Sequence, residues 1–250
     1  MRWLRSLLFH AFFFSWLTFL LVSFWVFLPF PRSVMNVALR IWSWTLVGAM
    51  RILGGMKVAF KGRENMPKGP VLVASKHQSI YDTFIMYLLM DEPQYVLKKE
   101  LTQIPFWGWY AKKCEHIAVD RGAGAKALKE MVVKCVDRLK RGRQVIIFPE
   151  GTRTAPGVTL RYHPGVAAIY QQLPEDAVVV PVALNSGSYW GRREFMITPG
   201  TITLEFLEPI KPGMDRKQFM QLLENRVEEA TAKLLDAAVQ ETGKKPEITP

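Results

Sequence analysis

The amino-acid sequence predicts an α/β protein with a mostly parallel sheet flanked by helices, preceded by an N-terminal membrane-embedded helical element. From about Val58, short β-branched runs alternate with helical stretches, which is the pattern of strands joined by crossover helices. Before that point the chain is largely apolar and lacks acidic residues, as is typical of a membrane segment. With 250 residues, 49% of them hydrophobic, the chain can bury one sizeable core.

The first element is an apolar segment, Ser6 to Pro31, that carries no formal charge. About 20 apolar residues cross a bilayer as a helix, so this segment is long enough to span. Its length and the lack of an A-x-A site argue against a cleaved signal peptide. Basic residues flank it on both sides. A straight span would separate them, whereas a helical hairpin in one leaflet keeps them in one compartment, which the positive-inside rule favours.

The second element, Val34 to Arg51, places its polar residues along one side of a helix and its apolar residues on the remainder. The polar residues are Asn36, Arg40, Ser43 and Arg51. This pattern predicts an amphipathic helix at the membrane interface, with arginine side chains that reach lipid headgroups.

The net charge of +11 comes from 33 basic and 22 acidic residues, and it indicates an anionic partner. Residues 1–63 contain eight of the basic residues, no acidic residue and five of the eight tryptophans. This combination favours the surface of an anionic bilayer over nucleic acid. The two cysteines, Cys114 and Cys135, exclude a disulfide scaffold and a four-thiolate zinc site.

The remaining elements follow from β-branched runs and from helical periodicity. The predicted strands are Val71–Ala74, Tyr95–Lys98, Ile117–Val119, Val145–Phe148, Val178–Leu184 and Thr201–Phe206. The predicted helices are Ile80–Met90, Phe106–Lys113, Ala123–Arg141, Gly165–Leu173 and Asp215–Val239. The predicted domains are a membrane-associated helical hairpin (or a span plus an interfacial helix) over 1–57, an α/β domain over 58–242, and a flexible tail over 243–250.

Ligands of such folds bind beyond the carboxyl ends of the strands, and a first polar cluster lies there. His77 and Asp82 are five residues apart, so on one ideal helix they would point about 140° away from each other. They meet only if His77 lies in the loop and Asp82 in the first helical turn. Ser79, three residues before Asp82, resembles a capping box and supports this arrangement.

Two interpretations of this cluster remain open. The Asp82 carboxylate would orient the His77 imidazole as a general base, or Asp82 would only complete the helix cap, with His77 a hydrogen-bonded loop residue. No Ser, Cys or Thr lies in a nucleophile elbow such as G-x-S-x-G. The pattern therefore favours a base that activates an external hydroxyl, without a covalent enzyme intermediate.

The second polar cluster follows the strand Val145–Phe148. Gly151 permits a sharp turn, and the planar guanidinium of Arg153 is suited to phosphate. Glu150 would bind a hydroxyl or would neutralise Arg153 in a surface ion pair. Lys98, Lys99 and Arg121 also lie at predicted strand ends, where they would add positive potential or remain solvated surface charges.

Together these motifs resemble the glycerophospholipid acyltransferase family, specifically the 1-acylglycerol-3-phosphate O-acyltransferases. The resemblance extends over roughly Gly62 to Asn185. The matching blocks are His77-Gln78-Ser79-Ile80-Tyr81-Asp82 (H-x-x-x-x-D), Lys98-Lys99-Glu100-Leu101 (K-x-E-L), Ile117-Ala118-Val119-Asp120-Arg121, Phe148-Pro149-Glu150-Gly151-Thr152-Arg153-Thr154 (F-P-E-G-T-R-[ST]) and Val180-Pro181-Val182. The sequence departs from the family where Arg161-Tyr162-His163-Pro164-Gly165 replaces a basic F-K-[KR]-G stretch, which leaves the identity of the acceptor open.

The resemblance implies transfer of a fatty acyl group from acyl-CoA or acyl-carrier protein to the sn-2 hydroxyl of lysophosphatidic acid, which gives phosphatidic acid. It implies that His77 removes the hydroxyl proton and that Asp82 orients His77. Glu150, Gly151 and Thr152 would place the glycerol, and Arg153, Arg121 and Lys99 would hold the phosphate. No cofactor or metal is expected. The enzyme would lie at a bacterial inner membrane, with its catalytic domain on the cytoplasmic side, where the thioesters are.

Three alternatives remain. The same chemistry would act on another lysolipid, such as a lyso-ornithine lipid or a lysophospholipid. A non-catalytic membrane lipid-binding protein would retain the fold, although the intact His77, Asp82, Glu150 and Arg153 argue against it. A membrane-tethered nucleic-acid binder would explain the net charge, but the concentration of basic residues in the apolar N-terminal segment makes nucleic acid an unexpected partner.

Overall fold

The structure is a computed structural model that describes residues 2–245, and for Arg121 only the backbone. Of the predicted tail 243–250, residues 246–250 therefore lie outside the described residues. In chain order the strands are Met56–Lys61 (β1), Val71–Ser75 (β2), Pro93–Lys98 (β3), Ile117–Val119 (β4), Gln144–Ile147 (β5), Val178–Leu184 (β6) and Gly200–Phe206 (β7). The helices are Arg2–Ser23 (α1), Arg32–Ala49 (α2), Tyr81–Phe84 (α3), Trp107–Lys113 (α4), Gly124–Lys140 (α5), Gly165–Tyr170 (α6) and Arg216–Thr242 (α7).

The seven described strands form one sheet in the order β1-β7-β6-β2-β5-β3-β4. All neighbouring strands run parallel except β6 and β7, which are antiparallel. The predicted α/β class and the six predicted strands are confirmed. Strand β1 was not predicted, because its sequence Met56–Lys61 carries lysines at both ends of the edge strand and has only one β-branched residue.

Helices cover both faces of the sheet. Since side chains alternate between the two sides of each strand, neighbouring residues of β2 belong to two different cores. On one face, Val71 and Val73 of β2 join the core beneath α1, α2 and α3. On the other face, Leu72 and Ala74 join the core beneath α5, α6 and α7. The central strands are therefore buried on both sides, as expected of parallel sheets.

The predicted helix Ile80–Met90 is shorter in the structure than expected. Helix α3 ends at Phe84 and continues only as a 3-10 turn, Ile85–Leu88. The end of this segment is held from outside, since the Arg40 guanidinium donates to the carbonyl oxygens of Tyr87 at 3.1 Å and Met90 at 2.8 Å. Tyr87 and Met90 lie in the last turn of this segment, where helix carbonyls lack internal partners, so the tertiary contact satisfies them.

Helices α1 and α2 form a hairpin joined through a 3-10 turn, Phe24–Phe27. The indole N–H of Trp16 donates to Thr45 Oγ1 at 2.7 Å, and that of Trp42 donates to the carbonyl of Trp16 at 3.2 Å. The hairpin is attached to the α/β domain along the length of α1. Arg2 donates to the carbonyl of Ile197 at 3.0 Å, and the Tyr110 hydroxyl donates to the carbonyl of Leu21 at 2.7 Å.

Much of the polar side of α2 faces the protein, so the prediction of arginines that reach lipid headgroups is wrong for Arg40, whereas Arg51 is exposed. Asn36 and Ser43 are buried, and Arg40 binds the Tyr87 and Met90 carbonyls. The outward side is apolar instead, with Trp44 70% exposed. The periodicity is as predicted, but Arg40 binds protein carbonyls that lie far away in the sequence, and Ser43 donates to the Leu39 carbonyl within the same helix.

Candidate active site

Three adjacent strands bring the polar clusters together. Strand β2 pairs with β6 on one side and with β5 on the other, all in parallel. Their carboxyl ends therefore lie side by side, so that His77 follows β2, Phe148 follows β5 and Ser186 follows β6. The sequence motifs that were predicted to share a site do so because of this strand order.

His77 and Asp82 are in direct contact. His77 Nδ1 donates to Asp82 Oδ2 over 2.9 Å, from a loop position to the first turn of α3. The same oxygen accepts the backbone N–H groups of Gln78 at 2.7 Å and Ser79 at 2.8 Å. One fully buried carboxylate therefore accepts the N–H groups that precede α3 and also bonds the imidazole, a geometry that is compatible with both interpretations of Asp82.

Ser186 completes the environment of Asp82 and was not identified from the sequence. Its hydroxyl donates to Asp82 Oδ1 over 2.6 Å, in a buried position. The next residue is tied to the same loop, because the Gly187 N–H donates to Gln78 Oε1 at 3.1 Å. Both oxygens of Asp82 thus have fixed donors, which locks the carboxylate that orients His77.

We expect Ser186→Ala to lower kcat about tenfold or more, since a hydrogen bond to a charged group contributes about 1.5–3 kcal/mol and its loss loosens Asp82. Steady-state kinetics with both substrates would measure this change. The matched control is Ser188→Ala, because the Ser188 hydroxyl in the same turn has no hydrogen-bond partner among the described residues. An equal loss in both variants would contradict a specific role of Ser186.

The Phe148 motif is fixed against the His77 motif. The Phe148 ring stacks on the His77 imidazole with centroids 3.9 Å apart and planes tilted by 17°. The Thr154 N–H donates to the His77 carbonyl at 2.8 Å. Because β5 and β2 are also paired, the position of His77 relative to Gly151, Thr152 and Arg153 is set by backbone contacts.

Glu150 departs from both expectations stated above. Its carboxylate accepts from the Lys76 ammonium at 2.7 Å and from the Thr154 hydroxyl at 3.3 Å, so neither a surface pair with Arg153 nor a glycerol contact fits its geometry. Lys76 is only 1% exposed and also contacts Glu228 of α7 at 2.9 Å. Burial raises the pKa of Glu150, and the Lys76 ammonium opposes this shift.

An apolar cavity of about 850 Å³ opens beside His77. The two N-terminal helices line one part of it with Phe13, Leu17, Leu20, Leu21, Leu39 and Trp42. The α5 and α6 side contributes Ala127, Leu128, Met131, Gly165 and Val166. Its cationic lining groups are Lys98, Arg153 and Arg192, and no described Asp or Glu lines it. The cavity therefore combines apolar walls with three cationic side chains, close to His77.

Residues 57–185, more than half of the chain, match the family model of the acyltransferases. The chain belongs to this family. It is 35% identical over 177 residues to the 1-acyl-sn-glycerol-3-phosphate acyltransferase of Pseudomonas aeruginosa, a match covering 70% of this chain and 67% of that protein. The yeast Saccharomyces cerevisiae protein with the same name is 27% identical over 168 residues, covering 64% of this chain and 54% of its relative.

The fold of this acyltransferase also occurs in a solved structure. The crystal structure of the 1-acyl-sn-glycerophosphate (LPA) acyltransferase from Thermotoga maritima superimposes with a TM-score of 0.76. The match covers 94% of this chain and 98% of that chain at 23% sequence identity. The likeness therefore includes the N-terminal helices as well as the sheet.

The remaining predicted site residues of the acyltransferase divide into two groups. Gly151, Thr152 and Arg153 line the cavity, and Gly151 adopts the left-handed φ of 70° that permits the sharp turn. Lys99 is not among the described lining residues. It is exposed and pairs with Asp120 at 2.9 Å, so the predicted phosphate contact of Lys99 does not fit, and its neighbour Lys98 faces the cavity instead. The Arg121 side chain lies outside the described residues.

A second histidine in the cavity wall of the acyltransferase is chemically distinct from His77. His116 Nδ1 accepts the N–H of Tyr95 at 3.2 Å, and its Nε2 pairs with the Tyr87 hydroxyl at 2.9 Å. Burial lowers the pKa of His116 to about 3, so it stays neutral at physiological pH. By contrast, no described residue bonds His77 Nε2, which leaves that nitrogen available at the cavity.

Proposed function

We propose that this enzyme transfers an acyl group from an acyl thioester to the sn-2 hydroxyl of lysophosphatidic acid, which yields phosphatidic acid and a free thiol. The observation that carries the proposal is the His77–Asp82 pair, which opens onto an apolar cavity that is also lined by Lys98, Arg153 and Arg192. The names of the Pseudomonas and yeast relatives support the same acceptor.

The proposed chemistry is general-base catalysis with direct transfer. His77 Nε2 accepts the proton of the sn-2 hydroxyl while the oxygen attacks the thioester carbonyl carbon. Asp82 holds the imidazole through Nδ1 and stabilises the imidazolium that forms. The tetrahedral intermediate then expels the thiolate, which takes the proton back from His77, so the base is regenerated and no acyl-enzyme is formed.

The cavity accommodates the hydrocarbon chains of the proposed substrates. Its apolar wall from α1 and α2 ends beside His77 and Phe148, so a chain lying along Leu17, Leu20 and Leu39 would bring its carbonyl or glycerol end toward the base. Burial of a fatty chain in such a wall is favourable by about 0.8 kcal/mol per methylene group. Holding both reactants beside His77 contributes further rate enhancement.

The N-terminal helices support an attachment to one leaflet of the membrane. Helix α1 with its extension, Arg2–Phe27, is long and apolar enough to cross a bilayer. Its two ends, however, contact the same α/β domain through Arg2 and Tyr110. A hairpin inserted from one side satisfies both facts, with exposed Trp3, Trp25, Trp44 and Ile52 in the lipid.

The location of the acyl donors supports one side of the membrane for the active site. Acyl-CoA and acyl-carrier protein are both cytosolic thioesters, and the cationic lining suits either acidic donor. We infer that the catalytic domain faces the cytoplasm, at the inner membrane of a bacterium, and that the acceptor enters from the leaflet without moving its chain through water.

The decisive measurement incubates purified protein in lipid with lysophosphatidic acid and an acyl-CoA or acyl-carrier protein thioester. We expect one thiol released for each phosphatidic acid formed, with the thiol followed by a colorimetric reagent and the lipid identified by mass. Thiol release that does not depend on the acceptor would contradict direct transfer. Faster acylation of a lyso-ornithine lipid or another lysophospholipid would reassign the acceptor, which the altered stretch Arg161–Gly165 keeps open.

A further inference from the structure

The loop that follows β6 brings two parts of the site together. It begins with Ser186, which binds Asp82, and continues to Trp190. The Trp190 ring packs edge-on against Phe9 and Phe13 of α1, with centroids 4.9 and 5.0 Å apart. This loop is therefore anchored both to the catalytic carboxylate and to the N-terminal hairpin before it reaches Arg192.

Arg192 lies at the cavity beside Arg153. Both residues line the cavity, and Arg192 Nη1 donates to the Arg153 carbonyl at 3.4 Å. Neither guanidinium forms an ion pair with a carboxylate among the described residues. Burial lowers the pKa of Arg153, the charges of Arg192 and Arg193 lower it further, and the Asp82 carboxylate opposes this shift. Both nevertheless remain charged, because arginine is not deprotonated in proteins.

Two arginines that line the same cavity and form no ion pair with a described carboxylate are suited to an anionic ligand of matching charge. A phosphate monoester carries a charge of about −1.5 to −2 at pH 7 and offers three acceptor oxygens, whereas a phosphodiester carries only one negative charge. The third lining cation, Lys98, already pairs with Glu100 at 3.0 Å. We propose that Arg192 and Arg153 together grip the terminal phosphate monoester of the acceptor lipid, and that Arg192 thereby sets the preference for that headgroup.

The phosphate of the acceptor fits this position better than a phosphate of the donor. Arg153 precedes Thr154, whose N–H bonds the His77 carbonyl, so the arginine pair lines the cavity close to the base. In lysophosphatidic acid the phosphate is one carbon away from the carbon that bears the reacting hydroxyl. Within the stretch Arg161–Gly165, His163 is the only titratable residue that lines the cavity. Arg192, which follows β6, therefore provides a positive charge that this stretch does not. The assignment rests on the proposed function for the identity of the lipid.

The test measures equilibrium binding to full-length protein in lipid nanodiscs, in a His77→Ala background that prevents turnover. The two probes are lysophosphatidic acid and a 1-monoacylglycerol of the same chain, which lacks the phosphate. We expect Arg192→Ala to raise the Kd for lysophosphatidic acid about 10- to 100-fold and to leave the Kd for monoacylglycerol unchanged, and Arg192→Lys to recover part of the loss. Arg192 is itself an exposed residue, so the matched control is Arg216→Ala, which removes an exposed guanidinium that does not belong to the described cavity lining and is expected to leave both Kd values unchanged.

An unchanged Kd for lysophosphatidic acid in Arg192→Ala would overturn the assignment, as would an equal loss for both lipids. In the enzyme with His77 intact, a raised KM for the acyl thioester alone would place Arg192 on the donor instead and would also overturn it. Failure of the wild-type enzyme to acylate lysophosphatidic acid would refute the proposed function, while the difference in binding between the two lipids would still decide the role of Arg192.

Discussion

Replacing His77 with alanine is expected to lower kcat for acyl transfer by about 10²–10⁴, which is the usual contribution of a positioned general base. The fold should persist, because Asp82 retains the N–H groups of Gln78 and Ser79 and the hydroxyl of Ser186 as donors. The KM values should change little, since the imidazole is a small part of the cavity wall. The measurement is thiol release at saturating acceptor, with the melting temperature recorded in parallel.

The control for this variant is His10→Ala. His10 contacts the Phe195 carbonyl at 2.9 Å and is absent from the described cavity lining, so its removal should leave the rate nearly unchanged. Activity of His77→Ala above about one tenth of the wild-type value would exclude His77 as the base. A large drop in melting temperature would instead show that the loss is structural.

The second large effect is expected from Lys76→Met, which should reduce the free energy of unfolding by about 3–5 kcal/mol. Lys76 and Glu150 are both almost fully buried, with 2.7 Å between Nζ and Oε1, and Glu228 lies 2.9 Å away. Loss of the ammonium leaves the Glu150 carboxylate buried without its cation. For a chain of this size the melting temperature should fall by roughly 10 °C.

Two further variants make this prediction specific. Lys99→Met removes an exposed lysine that also pairs with a carboxylate, Asp120, and it should leave the melting temperature nearly unchanged. Adding Glu150→Gln and Glu228→Gln to Lys76→Met removes the unpaired charges and should restore part of the loss. If Lys76→Met melted no lower than Lys99→Met, the buried network would not stabilise the fold.

The sequence was sufficient to predict the sheet, because its central strands are runs of buried β-branched residues. It also showed that His77 and Asp82 can meet only across a loop-to-helix boundary, which Ser79 marks, and the family resemblance then implied that they do. These signals lie within short segments of the sequence, so a single sequence is enough to recognise them. Strand β1 was missed for the same reason, since its lysines give it little β signal.

The residues that were missed or misassigned depend on distant contacts. Ser186 reaches Asp82 from 104 residues away, and Glu228 reaches Lys76 from 152 residues away. Lysines are almost never buried unless they are paired, so nothing in the local sequence suggested that Lys76 would be the partner of Glu150. Arg192 lies outside every recognised block and enters the cavity only because of the strand order.

The two faces of the α1–α2 hairpin have different surroundings. Its inner face, with Leu17, Leu20 and Leu39, is a wall of the reaction chamber, whereas its outer face is exposed and apolar. In the proposed function, membrane attachment and substrate accommodation therefore depend on the same hairpin. Cutting the chain before β1 to obtain a water-soluble enzyme would also leave the chamber open on one side. Changes confined to the outer face, in contrast, would tune residence on the bilayer and leave the chemistry intact.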